Sequence, residues 1–156
     1  MASDKNVKAA LRSDQNGYTL IELMIVGAII SVVAVISVPT YQNFKTRAKV
    51  NTDLSLARPL INGMVESHAM RGEWPSDNLD AGMSIPTAYK GEYLSSAEIS
   101  DTPQPGTLTL TYDISRLPVL RGANTLVYYP LDTGGKTLWA CDQGTIPDKF
   151  RPKKCR

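Results

Sequence analysis

The stretch that decides the fold is Tyr18–Val38, YTLIELMIVGAIISVVAVISV, twenty-one residues in which Glu22 is the only charge. An α-helix of that length, rising about 1.5 Å per residue, spans about 32 Å, the thickness of a bilayer's hydrocarbon core. A cleavable secretory signal carries a shorter apolar run, about 7–15 residues, closed by small residues of the A-x-A kind. Tyr18–Val38 has neither property. It therefore reads as a helix that stays with the protein and lodges in a membrane.

On its N-terminal side, residues 1–17 (MASDKNVKAALRSDQNG) are polar, set Lys5, Lys8 and Arg12 against Asp4 and Asp14, and end in the turn-prone pair Asn16-Gly17. Cations flanking a membrane helix stay in the cytoplasm, so everything after Val38 is expected outside. The cysteines agree. Cys141 and Cys155 are the only two, too few for a four-ligand structural zinc site, and a disulfide between them would persist in a periplasmic or extracellular setting.

On the C-terminal side, Val50, Leu54, Ala57, Ile61, Met64, Val65 and Ala69 recur at three- and four-residue steps, which continues the helix through residues 39–71. Pro39 and Pro59 each remove a backbone donor and crowd the preceding turn, so the helix should bend or break at both, with Gly63 adding softness. The expectation is a gently curved rod of about 50 residues. From Glu73 to Pro86 turn formers dominate, giving a loop with Trp74 as a packing anchor. Short β-branched and aromatic runs follow at Glu92–Ile99, Thr107–Asp113, Thr125–Tyr129 and Lys136–Ala140, read as four antiparallel strands in meander order. Gly134-Gly135 suits a tight hairpin between the last two. The fold class is thus α+β: a long curved N-terminal helix packed on a four-stranded antiparallel sheet, with residues 72–156 as a globular head closed by a C-terminal disulfide loop.

With 156 residues the chain has room for one modest domain, and 17 Lys+Arg against 15 Asp+Glu leave a net charge of +2, too near balance to argue for nucleic acid. There is no G-x-S-x-G, no Walker loop and no Cys/His pair suited to nucleophilic attack. His68, the only histidine, has no partner at metal-ligand spacing and reads as a polar helix-face residue. No enzyme, cofactor or metal is expected.

Two clusters carry chemistry. A carboxylate inside a bilayer-length helix costs about 2.5–3.5 kcal/mol even on lenient insertion scales, so Glu22 requires compensation, unless it sits at the headgroup boundary. At the other end Lys149, Arg151, Lys153, Lys154 and Arg156 flank Phe150; such a run engages phosphates of DNA or acidic glycans, is simply solvated, or pairs with acidic neighbours. The segment Cys141–Cys155 encloses thirteen residues, a closure worth about 3 kcal/mol in the simplest chain-entropy treatment.

The run Gly17-Tyr18-Thr19-Leu20-Ile21-Glu22-Leu23, a glycine, an aromatic, then an apolar helix with one carboxylate, strongly resembles a type IV pilin precursor, of the type IVa-like kind that supplies a major subunit. The resemblance extends over Pro39-Thr40-Tyr41-Gln42, Pro59, Gly72-Glu73-Trp74-Pro75 and the Trp139-Ala140-Cys141 to Cys155 loop. It implies a leader of residues 1–17 removed by a prepilin peptidase, N-methylation of the new N-terminus at Tyr18, and a helix over 18–38 that is held in lipid and later cores a helical homopolymer. The new amine of one subunit would pair with Glu22 of its neighbour and set register. Melting of the helix between Gly27 and Pro39 on assembly is also implied.

The implied partners are that peptidase, an inner-membrane platform protein, an assembly ATPase and a secretin. The implied location is the inner membrane of a Gram-negative cell, then an extracellular pilus serving adhesion, twitching motility or DNA uptake. Two alternatives remain: a type II secretion pseudopilin, against which the Cys141–Cys155 loop argues, and a signal-anchored periplasmic binding domain, which would retain residues 1–17.

Overall fold

A computed structural model describes residues 17–156, so the expected leader, apart from Gly17, lies outside the described residues. The described residues fall into two units, one ending at Pro39 and the other Thr40–Arg156. Helix α1 runs Leu20–Thr52, a 3-10 turn occupies Asp53–Leu56, and helix α2 runs Ala57–Arg71.

Helix α1 is unbroken at Pro39. A proline removes only its own N–H, and in an apolar run the helix remains the conformation that satisfies the neighbouring backbone groups. The interruption falls at Asp53–Leu56 instead. Pro59, third in α2, offers no N–H to the carbonyl of Ser55 and its ring crowds that carbonyl, so the turn immediately upstream tightens.

The sheet is the expected meander, β1 (Leu94–Ser100), β2 (Thr107–Tyr112), β3 (Thr125–Asp132) and β4 (Thr137–Gln143), all neighbours antiparallel. The last two strands extend further than the sequence pattern suggested, β3 by three residues to Asp132 and β4 by three to Gln143. Their hairpin turns at Gly134-Gly135, both with positive φ (69° and 119°), which suits glycine. Along β2, Leu108, Leu110 and Tyr112 alternate inward. Along β1 a register shift between Leu94 and Ser96 lets Leu94, Ala97 and Ile99 all face the core.

Against that face lie Val50, Ala57, Leu60 and Met64. The buried stripe is narrower than the apolar periodicity implied: Val65 and Ala69 are exposed, whereas polar Asp53 and Ser67 are buried in line with it. Tyr112 crosses the core and donates its hydroxyl to the Val50 carbonyl at 2.9 Å. Burial pushes its phenol pKa well up.

Asp53 explains its own burial. Its carboxylate accepts the N–H groups of Glu92 (3.0 Å), Tyr93 (2.5 Å) and Leu94 (2.7 Å), tying the 3-10 turn to the start of β1. Gly91 makes room for it, since a Cβ there would lie 2.3 Å from the Asp53 carboxyl carbon. Asn78 performs the same service at the other end of β1: its amide donates to the carbonyls of Ser84 and Ala97, and its oxygen accepts from Ile99 N–H at 2.7 Å. The Glu73–Pro86 segment is thus pinned along the sheet edge.

Candidate functional site

The apolar helix begins with its own cap. Thr19 accepts the Glu22 N–H on its hydroxyl at 3.3 Å, while the Glu22 carboxylate accepts the Thr19 N–H and hydroxyl, each at 3.2 Å. This reciprocal Thr-x-x-Glu arrangement satisfies helix donors that would otherwise face hydrocarbon, and the helix dipole favours a carboxylate in the first turn. The Thr19-Leu20-Ile21-Glu22 spacing carried that signal, which a reading of Glu22 as an isolated charge overlooks.

Behind the cap every side chain from Leu20 to Val38 is exposed, including Ile21 at 65% and Val35 at 76%. The stretch is long and apolar enough to cross a membrane. Tyr18 is 81% exposed. A Cβ on Gly17 or on Gly27 would meet nothing within 4 Å. The fold of the described residues therefore asks for glycine at neither position.

At the opposite end Cys141 on β4 is disulfide-bonded to Cys155. Inside the loop they close sits Arg151, 8% exposed, donating to the carbonyls of Ile146 at 2.7 Å, Gly144 at 2.9 Å and Asp142. Tyr129 donates to the Asp142 carboxylate at 2.6 Å, and that bond raises its phenol pKa.

The chain matches the family described as Pilin (bacterial filament) over residues 46–156, and the prokaryotic N-terminal methylation motif over residues 12–38. It belongs to the pilin family. It is 35% identical to the fimbrial protein of Neisseria meningitidis serogroup A / serotype 4A, across 83% of this chain and 74% of that one. It is 32% identical to the type IV major pilin protein PilE of Neisseria gonorrhoeae, across 91% and 94%, and 30% identical to the type IV major fimbrial protein FimA of Dichelobacter nodosus, across 94% and 99%. This pilin is a structural subunit of a filament, and its exposed apolar helix is the membrane anchor before assembly.

Within the pilin head the basic C-terminal cluster needs correction. Arg151 is buried and spent on loop carbonyls, so it is no surface contact. A guanidinium with five donors is the side chain best fitted to hold three carbonyls of one loop together. Lys153 and Lys154 are exposed, as is Lys149, whose ammonium lies 4.8 Å from its own Phe150 ring centroid. Arg156 is exposed and reaches back to the Arg151 carbonyl at 3.3–3.4 Å.

His68 also differs from expectation. It is half-buried and stacks flat on Trp74, ring centroids 4.1 Å apart, and Trp74 meets Trp139 edge-on at 5.7 Å. The chain reversal after α2 folds Trp74 back over the turn it has just left, so His68 gains an aromatic neighbour that linear spacing does not reveal. Trp74 is the packing anchor expected of it. Among the described residues no group of His, Cys, Asp and Glu is arranged to hold a metal.

Proposed function

We propose that this pilin is made as a precursor with a leader of residues 1–17, cut after Gly17 and N-methylated on Tyr18. Residues 18–38 anchor it in the inner membrane of a Gram-negative cell, then core a type IV pilus. Residues 39–71 continue the helix into the head of residues 72–156. The observation that carries this reading is the wholly exposed apolar helix behind a methylation motif: its burial has to come from lipid first and from neighbouring copies later.

Glycine at 17 has no steric reason within the described fold, which supports a requirement imposed by a peptidase. Cleavage there creates a cationic amine on Tyr18, one turn from Glu22. A carboxylate has about four acceptor sites, so Glu22 retains capacity beyond its bonds to Thr19 and can take a neighbour's amine. That ion pair, desolvated in the filament core, sets axial register. Extraction from lipid then needs machinery: a platform protein, an assembly ATPase and a secretin. Lys149, Lys153, Lys154 and Arg156, repeated along a filament, supply weak multivalent contact to DNA or acidic surfaces for adhesion, twitching motility or DNA uptake.

The test is the intact mass of this chain from fibres sheared off producing cells. A mass beginning at N-methylated Tyr18, less two hydrogens for the disulfide, supports the proposal. A chain that keeps residues 1–17 and stays in membranes overturns it.

A further inference from the structure

Within Thr40–Arg156 lies a recess of about 250 Å³ lined by Gln42, Lys45, Thr46, Lys49 and Arg116, with Leu117, Pro118 and Val119 closing one wall. Three cations and no carboxylate line it. Arg47, on the same helix, donates to the Lys149 carbonyl at 2.6 Å and is not part of the recess. Lys49 is held, its ammonium 5.2 Å from the Tyr93 ring centroid. Arg116 donates to the Glu92 carbonyl at 2.6 Å and is ion-paired at 3.7 Å with Asp113, which lies outside the lining.

The recess follows the membrane segment closely in the chain. Lys45 comes seven positions after Val38, the end of the apolar run, and between them Tyr41 and Phe44 are each 66% exposed. Exposed aromatics followed by long cationic side chains are what the headgroup layer of a bilayer selects. The apolar wall of Leu117, Pro118 and Val119 suits a ligand that has a glycerol and acyl root behind its charge.

We propose that this recess binds the phosphate of an anionic phospholipid on the outer face of the membrane, with Lys45, Lys49 and Arg116 as the phosphate contacts and the Gln42 amide as a further donor. The inference rests on the membrane-anchored precursor described above. It gives the stored subunit a lipid preference that is surrendered when the subunit leaves the bilayer, so lipid composition biases how readily pilin is extracted.

The test uses the full chain reconstituted into phosphatidylcholine vesicles with and without about one-third phosphatidylglycerol. Flotation reports anchoring, and native mass spectrometry after mild detergent extraction reports retained lipid. The wild-type chain is expected to float in both and to retain phosphatidylglycerol over phosphatidylcholine. The Lys45→Gln/Lys49→Gln/Arg116→Gln chain is expected to float equally and to lose that preference, by about fivefold per cation removed. A charge-matched Arg58→Gln/Arg121→Gln/Lys136→Gln chain is expected to keep it.

Equal phosphatidylglycerol retention by the wild-type and recess-triple chains overturns the proposal. So does displacement of the lipid by inorganic phosphate at equal concentration, which would assign the recess to a free anion. Failure to float at all overturns the anchored precursor and the proposal with it, whereas flotation without lipid preference overturns the proposal alone.

Discussion

Between Leu20 and Val38 no side chain is buried, although the run is almost wholly apolar; within Thr40–Arg156, Leu60, Met64, Leu108, Leu110, Leu126, Ile146 and Phe150 are buried almost completely. The second unit buries its apolar side chains at about 1.5–3 kcal/mol each from its own sequence. Among the described residues nothing covers the first. Hydrophobicity alone does not distinguish a core from an interface; what distinguishes them is whether the chain supplies the covering surface. A region left uncovered by its own fold is where lipid and other copies act.

The largest expected effect tests that division directly. A chain lacking residues 18–39 should yield no sheared filaments at all, while Thr40–Arg156 should remain soluble, disulfide-bonded and cooperatively folded by circular dichroism on heating. A fragment that melts without a cooperative transition would mean that the head depends on the apolar segment, and the comparison would fail.

Next comes the joint between helix and sheet. Asp53→Ala strands three backbone N–H groups at 92–94 that the carboxylate now accepts, and each buried unsatisfied donor costs about 1–3 kcal/mol. A loss of about 3–5 kcal/mol is expected in denaturant unfolding of the soluble head. Gly91→Ala forces a Cβ onto the same carboxylate and should cost about 1–3 kcal/mol. A neutral result for both would remove Asp53 as the tie between the 3-10 turn and β1.

The C-terminal loop sharpens the contrast between cations that build the fold and cations that face outward. Reducing Cys141–Cys155 should cost about 3 kcal/mol, and Arg151→Gln about 2–3 kcal/mol, because loop carbonyls lose a charge-assisted donor. Lys153→Gln with Lys154→Gln should stay within about 0.5 kcal/mol, as surface changes do. If the double lysine change destabilised the head as much as Arg151→Gln, the separation of roles would be wrong.

The parts of this fold legible in the sequence are those with a local period or a local rule. The 3.6-residue and two-residue patterns announce helix and sheet, Gly134-Gly135 announces its hairpin, and Gly17 to Leu23 announces the family. The misses are residues whose role depends on a distant partner. Asp53 and Asn78 look like surface polar residues until β1 arrives beside them. Arg151 looks like one more surface cation in a basic run until the disulfide brings the carbonyls of Asp142, Gly144 and Ile146 around it. His68 needed Trp74 to fold back. At Pro59 the sequence implies a bend or break, and the distortion lies one turn earlier because proline acts on the carbonyl four residues before it. One miss was local: the Thr19–Glu22 capping box was present in the spacing.

The smallest expected effect concerns acid. The Asp80 carboxyl is held below the ordinary carboxylate range by the Ser76 N–H, which donates to it at 3.0 Å, and by the Arg71 guanidinium. Asp113 is lowered in the same way by the Ser115 hydroxyl at 2.6 Å and N–H at 2.8 Å. A carboxyl whose native pKa lies below its unfolded value of about 3.9 contributes stability that is complete above that value and is lost as pH falls through the native pKa. The thermal midpoint of the soluble head should therefore decline below about pH 4, and Asp80→Asn together with Asp113→Asn should make that decline shallower by lowering the midpoint slightly at pH 7 while leaving it nearly unchanged at the acid end. Both side chains keep about a third of their surface in solvent, 36% for Asp80 and 35% for Asp113, so the difference should be small and should shrink further in high salt. An acid limb unchanged by the two substitutions would mean that the other carboxylates of the head, and not these two, set its loss of stability in acid.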